Sequence, residues 1–169
     1  DVYYGTDPNG TTIHATVNSP AYDAPNKSSG TYYLRLRSRD GVGNVSTWAT
    51  VYIAKIDTSP PVIPSGDATD AYGSHSNVWQ RTRNDVQLTL SVPTDSLSGV
   101  KDYLYCWGTD PNCVPSISQV GSTMSVLQTL DPIARPYYLR TVARDNALNS
   151  TDPYTAYTFL FDGEPPAVV

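Results

Sequence analysis

Apolar and polar residues alternate with period two along several stretches of the chain, and no 3.6-residue apolar period persists anywhere. Val86, Leu88, Leu90 and Val92 alternate with Gln87, Thr89 and Ser91, the pattern of a half-buried strand. Tyr32, Leu34, Leu36 and Ser38 fall on one face of a second predicted strand, and Tyr33, Arg35, Arg37 and Arg39 on the other. In a third, Tyr137, Leu139, Thr141 and Ala143 face in, while Tyr138, Arg140 and Arg144 face out. Residues 51–53 and 157–161 read as the strands that follow. Residues 40–44 and 145–149 are predicted hairpin turns, because their Gly and Asn residues accept positive φ. The expected fold class is all-β and antiparallel.

The pattern occurs twice. Tyr32, Tyr33, Leu34 and Arg35 return as Tyr137, Tyr138, Leu139 and Arg140. Arg39 and Asp40 return as Arg144 and Asp145, Asn44 as Asn149, Asp57 as Asp162, and Pro60 and Pro61 as Pro165 and Pro166, all at an offset of 105. Gly5, Thr6, Asp7, Pro8 and Asn9 return as Gly108, Thr109, Asp110, Pro111 and Asn112 at an offset of 103, so a two-residue indel lies between these landmarks. A period near 105 suits one β-sandwich and is too long for a solenoid unit. The expected organisation is residues 1–58 as the C-terminal part of a sandwich, 59–164 as a complete sandwich opening on a proline-rich linker (59–64), and 165–169 as the start of the next linker. Consecutive prolines make such a linker extended and semi-rigid. A sandwich without its opening strands exposes an apolar face and a strand edge. Strands upstream on the same polypeptide, or strands donated by a neighbouring subunit, would complete it. Residues 65–83, polar with few apolar anchors, read as a long loop.

Composition narrows the function classes. A net charge of −5 and a pI near 4.7 argue against nucleic acid, whose phosphates call for Lys and Arg patches. No apolar run approaches the ~18 residues of a membrane span. The two cysteines, Cys106 and Cys113, bracket a turn built on Asp110, Pro111 and Asn112, and Tyr3 and Gly10 hold their places in the first repeat. Two cysteines at the base of a hairpin turn face each other at bridging distance, which predicts a disulfide and an oxidising, extracellular setting. The rival readings are a metal half-site or two buried thiols, and no histidine lies near enough in sequence to strengthen the first.

Catalytic chemistry has little to stand on. His14 and His75 are the only histidines and belong to different repeats, and no zinc-protease, nucleophile-elbow or phosphate-loop motif is present. No enzyme activity and no cofactor are expected. Calcium is the one ion the turn oxygens suit: Asp40 with Asn44, Asp145 with Asn146 and Asn149, and Asp57 and Asp162 by the linkers. The plainer reading is that these side chains bond their own turns. The row Arg35, Arg37 and Arg39 could bind an acidic partner, or pair with acids and cover the sheet with its stems. Tyr33 and Tyr138 could stack on sugars, or pack across strands. Trp48 is expected to plug a core end, with Trp79 and Trp107 as contact candidates. Asn9, Asn26, Asn44 and Asn149 fit the glycosylation sequon.

Residues 30–37, with Tyr32, Tyr33, Leu34 and Arg35 at their centre, resemble the penultimate strand of fibronectin type III domains. Tyr32 and Tyr137 fall where that family has its corner tyrosine, whose ring seals the core while its hydroxyl bonds nearby backbone, and Leu130, Asp131 and Pro132 precede Tyr137 in the family's manner. Residues 39–46, 57–61 and 95–100 are similar to bacterial Ig-like repeats of large secreted surface proteins. The resemblance implies tandem Ig-like or fibronectin III-like sandwiches at the cell surface. The expected role is a structural module of a filament, stalk, sheath or surface layer, meeting neighbouring modules or identical subunits head to tail. The rival role is a carbohydrate- or protein-binding accessory or adhesin module, stiffened by calcium, with surface glycans as partners.

Overall fold

The computed structural model describes residues 1–64, 68–70, 76–81, 86–121, 123–126 and 134–168, the stretch 123–126 by its backbone. Among the described residues all regular structure is strand: β1 (Val2–Gly5), β2 (Gly30–Leu36), β3 (Ala49–Ile56), β4 (Thr69–Asp70), β5 (Trp79–Gln80), β6 (Val86–Thr89), β7 (Val100–Gly108), β8 (Ile117–Gln119), β9 (Thr123–Val126), β10 (Arg135–Asp145) and β11 (Tyr154–Phe161). The chain divides into two compact units, Asp1–Ser59 and Pro60–Val169.

The first unit is one antiparallel sheet in the order β1-β2-β3. Val2, Tyr3, Tyr4 and Tyr32 are its buried apolar residues. The second unit has two sheets, β5-β11-β10-β7-β8 and β4-β6-β9. They enclose one apolar cluster, a β-sandwich arrangement. Val86, Leu88 and Leu90 approach it from one sheet, and Tyr103, Leu139, Tyr157 and Phe159 from the other. Alternation explains the register. Tyr137, Leu139, Thr141 and Ala143 of β10 are all buried, each two residues from the last. Full burial of a Leu or Phe side chain stabilises by roughly 1.5–3 kcal/mol, so this cluster is what holds the two sheets together.

Local pairing is the same in both units. Tyr3 lies opposite Arg35 and Gly5 opposite Tyr33, and Cys106 lies opposite Arg140 and Gly108 opposite Tyr138. The β2–β3 ladder slips between Leu34 and Arg35, and the β10–β11 ladder slips between Leu139 and Arg140. Every one of these positions maps onto its counterpart at the offsets seen in the sequence.

Three expectations need correction. Val92 is 64% exposed, because β6 ends at Thr89 and the chain then turns away to bridge Thr94 with Val62. Leu36, placed on one face with Tyr32 and Leu34, does not share the burial of Tyr32 and is exposed at the end of β2. Residues 65–83 are not simply a loop, since they contain β4 and β5, and β5 pairs in parallel with the end of β11. His75 and the Leu130, Asp131 and Pro132 group lie outside the described residues.

Candidate functional site

The turn at 110–113 carries the covalent feature predicted from the sequence. Cys106 and Cys113 form a disulfide with a Cα–Cα distance of 6.2 Å. Asn112 N–H donates to Asp110 Oδ1 at 2.8 Å, Cys113 N–H donates to the Asp110 carbonyl at 3.3 Å, and Arg140 Nη1 donates to the Cys113 carbonyl at 3.0 Å. The first unit repeats this set at Asn9, Gly10 and Arg35, with distances of 2.8, 3.1 and 2.9 Å. Only the clasp differs. In place of the disulfide, the Tyr3 ring lies on Gly10, and its hydroxyl accepts from Asp7 N–H at 2.9 Å. His14 packs on the same ring at 5.0 Å, with Nδ1 3.1 Å from the Tyr4 carbonyl oxygen, so its imidazole belongs to the clasp.

The calcium candidates sit in two matching turns. Asn44 donates to Asp40 twice, from its backbone N–H to Oδ1 and from its side-chain amide to Oδ2, both at 2.8 Å. Asn149 does the same to Asp145, also at 2.8 Å. The Asn44 side-chain bond holds the exposed Asp40 carboxyl below the usual carboxylate range. Asp57 accepts from Ser59 N–H and Asp162 from Glu164 N–H, both at 3.0 Å. Asn146 donates its amide to the Ser98 and Gly99 carbonyls. Asp145 is fully buried, and a carboxylate oxygen of Asp95 comes within 4.8 Å of one of its own. Asp95 in turn accepts from the N–H groups of Leu97, Ser98 and Gly99. The side-chain amides of Asn44 and Asn149, two of the sequon asparagines, are therefore engaged in turn bonds.

Two of the arginine row, Arg37 and Arg39, pair with an acid, while Arg35 holds the Gly10 carbonyl. Arg37 Nε lies 2.8 Å and Arg39 Nη2 3.3 Å from Asp1 Oδ2, and Thr16 Oγ1 donates to Asp1 Oδ1. Arg37 also lies over Trp48, which is half-buried under the guanidinium rather than plugged into a core. Trp107 stacks on Tyr137 against the apolar cluster, and its Nε1 has no hydrogen-bond partner among the described residues. Trp79 is 56% exposed beside a cleft of about 460 Å³ lined by Gln80, Arg81, Asp162, Glu164, Pro165 and Pro166. Tyr33 and Tyr138 are both half-buried.

Tyr103 and Asp102 are among the buried polar groups that sequence reasoning did not single out. Tyr103 is buried, and its hydroxyl donates to the Ser91 carbonyl at 2.6 Å, whereas the Tyr32 hydroxyl meets Ser28 Oγ. Burial pushes the Tyr103 phenol up to about 12, with Tyr154 adding to the effect. Asp102 accepts from Arg144 Nε at 2.8 Å and from Ser118 Oγ at 2.8 Å. The Arg144 guanidinium, against the opposing effect of burial, holds the Asp102 carboxyl below its ordinary range, and Ser118 helps. Asp102 and Arg144 are cross-strand partners, a pairing that only the β7–β10 register discloses. Among the described residues no helix is long and apolar enough to cross a membrane. No protein-family model and no curated protein sequence matches this chain.

Proposed function

We propose that the chain is a structural module of an extracellular repeat protein, a filament, stalk, sheath or surface layer in which Ig-like or fibronectin III-like sandwiches follow one another head to tail. The observation that carries this reading is the recurrence, 105 residues on, of the same turn bonds and the same ladder slip. Duplicated detail of this kind belongs to serial copies of one design. The disulfide agrees with an oxidising, extracellular location, and extended proline linkers would carry direction from one module to the next. Contacts along such an array are heterologous, since a closed two-fold would not extend. Electron microscopy of native material labelled with an antibody raised against this chain tests the reading. Elongated or fibrous label is expected, and discrete monomers with no larger parent polypeptide would contradict it.

A binding role is the second reading, favoured by the exposed Trp79 beside its polar cleft. An indole face next to Gln, Arg, Asp and Glu side chains is the chemistry that holds a sugar ring, and a glycan array tests it. Calcium stiffening is the variant supported by the closeness of Asp95 to Asp145, and it predicts a lower melting temperature in chelator.

A further inference from the structure

Tyr52 of β3 and Tyr157 of β11 occupy one position in the two units. Each lies opposite a leucine, Leu34 or Leu139, beside the same ladder slip. Tyr157 is 1% exposed and Tyr52 is 62% exposed. Val51 and Ile53 beside it are exposed as well. The second unit shows what makes the difference. There Val86, Leu88 and Leu90 share the apolar cluster with Tyr157 and Phe159, and β5 takes the edge of β11 by pairing Trp79 with Leu160 and Gln80 with Phe161. The first unit has no counterpart of either strand, and β3 is the edge of its sheet over all of Ala49–Ile56.

We infer that the face and edge of β3 accept polypeptide strands, and that the occupant is a further copy of the segment that supplies β4, β5 and β6 within residues 60–98, carried ahead of β1 on the same polypeptide. The inference rests on the serial-copy reading above. The internal equivalence identifies the occupant's chemistry: an apolar strand alternating as Val86, Leu88 and Leu90 do, laid over Tyr52, Ala54 and Ile56, and a short parallel strand at Lys55 and Ile56. It also identifies the connection. In the second unit that segment runs directly into β7, whose counterpart in the first unit is β1.

The test joins a copy of residues 60–103 directly ahead of Asp1, so that Tyr103 runs into Asp1 as it runs into Leu104 in the chain itself. Hydrogen exchange is compared between this extended protein and the 169-residue chain. Amides of residues 49–56 are expected to exchange about tenfold more slowly in the extended protein. The protection should vanish when Val86→Asp, Leu88→Asp and Leu90→Asp are placed in the added copy alone. Unchanged exchange at 49–56 overturns the inference, whether or not the added residues are themselves ordered. Protection that is already present in the 169-residue chain and rises with its concentration would assign the surface to a second copy, and that overturns it too. Fibrous native material with no slowing at 49–56 would leave the structural role standing and remove only this surface.

Discussion

The Tyr3 ring lies so close over Gly10 that a β-carbon on Gly10 would stand 2.1 Å from Tyr3 Cζ. The equivalent positions in the second unit are Cys106 and Cys113, joined covalently. Two chemistries thus close one turn. One uses a tyrosine folded over a glycine and a hydroxyl accepting from Asp7 N–H, and the other uses a sulfur bridge. In both, an arginine from the neighbouring strand holds the last carbonyl of the turn.

Gly10→Ala should therefore lift the Tyr3 ring and lower the stability of the first unit by about 1–3 kcal/mol, the range for forcing atoms into a packed site. Chemical denaturation measures the loss. The paired change Tyr3→Cys with Gly10→Cys should form a second disulfide, seen as the absence of free thiol after air oxidation.

Reducing Cys106–Cys113, or replacing both by Ala, should destabilise the second unit by about 2.5 kcal/mol in the chain-entropy account of a loop this short. Installing the other clasp, Cys106→Tyr with Cys113→Gly, should recover part of that loss. Urea unfolding of the three proteins gives the comparison. Equal stability of the Ala and Tyr/Gly variants would show that the tyrosine clasp contributes nothing.

Leu148 holds a φ of 71° where its counterpart Gly43 holds 99°. Left-handed backbone is strained for leucine and free for glycine. Leu148 is well exposed, so little burial is at stake. Leu148→Gly should raise stability by about 1 kcal/mol, read from the shift in the urea midpoint.

Alkaline stability should depend on Tyr103. Its phenol is pushed from 10.0 up to about 12 in the folded chain. The stabilisation is complete below pH 10, the unfolded value, and is lost as pH rises towards about 12, because the folded state disfavours the tyrosinate. Tyr103→Phe should lose about 1 kcal/mol at neutral pH with the bond to the Ser91 carbonyl, and should flatten the decline above pH 10. Unfolding followed through tyrosinate absorbance tests both arms.

Acid acts through Asp102. Its carboxyl is held below the ordinary range by Arg144, so its contribution is present above the unfolded carboxylate value and fades as pH falls through the lower folded one. Asp102→Asn should lower neutral-pH stability by about 1–3 kcal/mol, the range for a charge-assisted bond whose partner is removed. It should also remove part of the acid dependence, measured by urea unfolding across the acid range.

Much of this fold was legible from alternation and recurrence. Val86, Leu88 and Leu90 read correctly because one side of β6 meets a core, and the sulfur bridge read correctly because a turn brings its two residues face to face. Val92 misled because alternation continues past the point where the ladder stops. β4 and β5 escaped notice because two residues carry no period. Asp102 and Tyr103 escaped because their partners, Arg144 and Ser91, are set by register and by a non-local approach rather than by neighbours in sequence. The aspartate–asparagine turns were visible as oxygen-rich stretches, but their chemistry, one asparagine donating twice to one carboxylate, needed coordinates.

The bridge at the end of β7 also sets how far the second unit can be drawn out. Seven residue steps separate its cysteines, and fully drawn backbone spans about 3.4 Å per step, roughly 24 Å in all. Oxidised, that stretch can reach only the 6.2 Å between the two α-carbons. Thiol oxidation thus trims the contour length of the opened stretch, and a reductant restores that slack once the rungs at Cys106, Trp107 and Gly108 have parted.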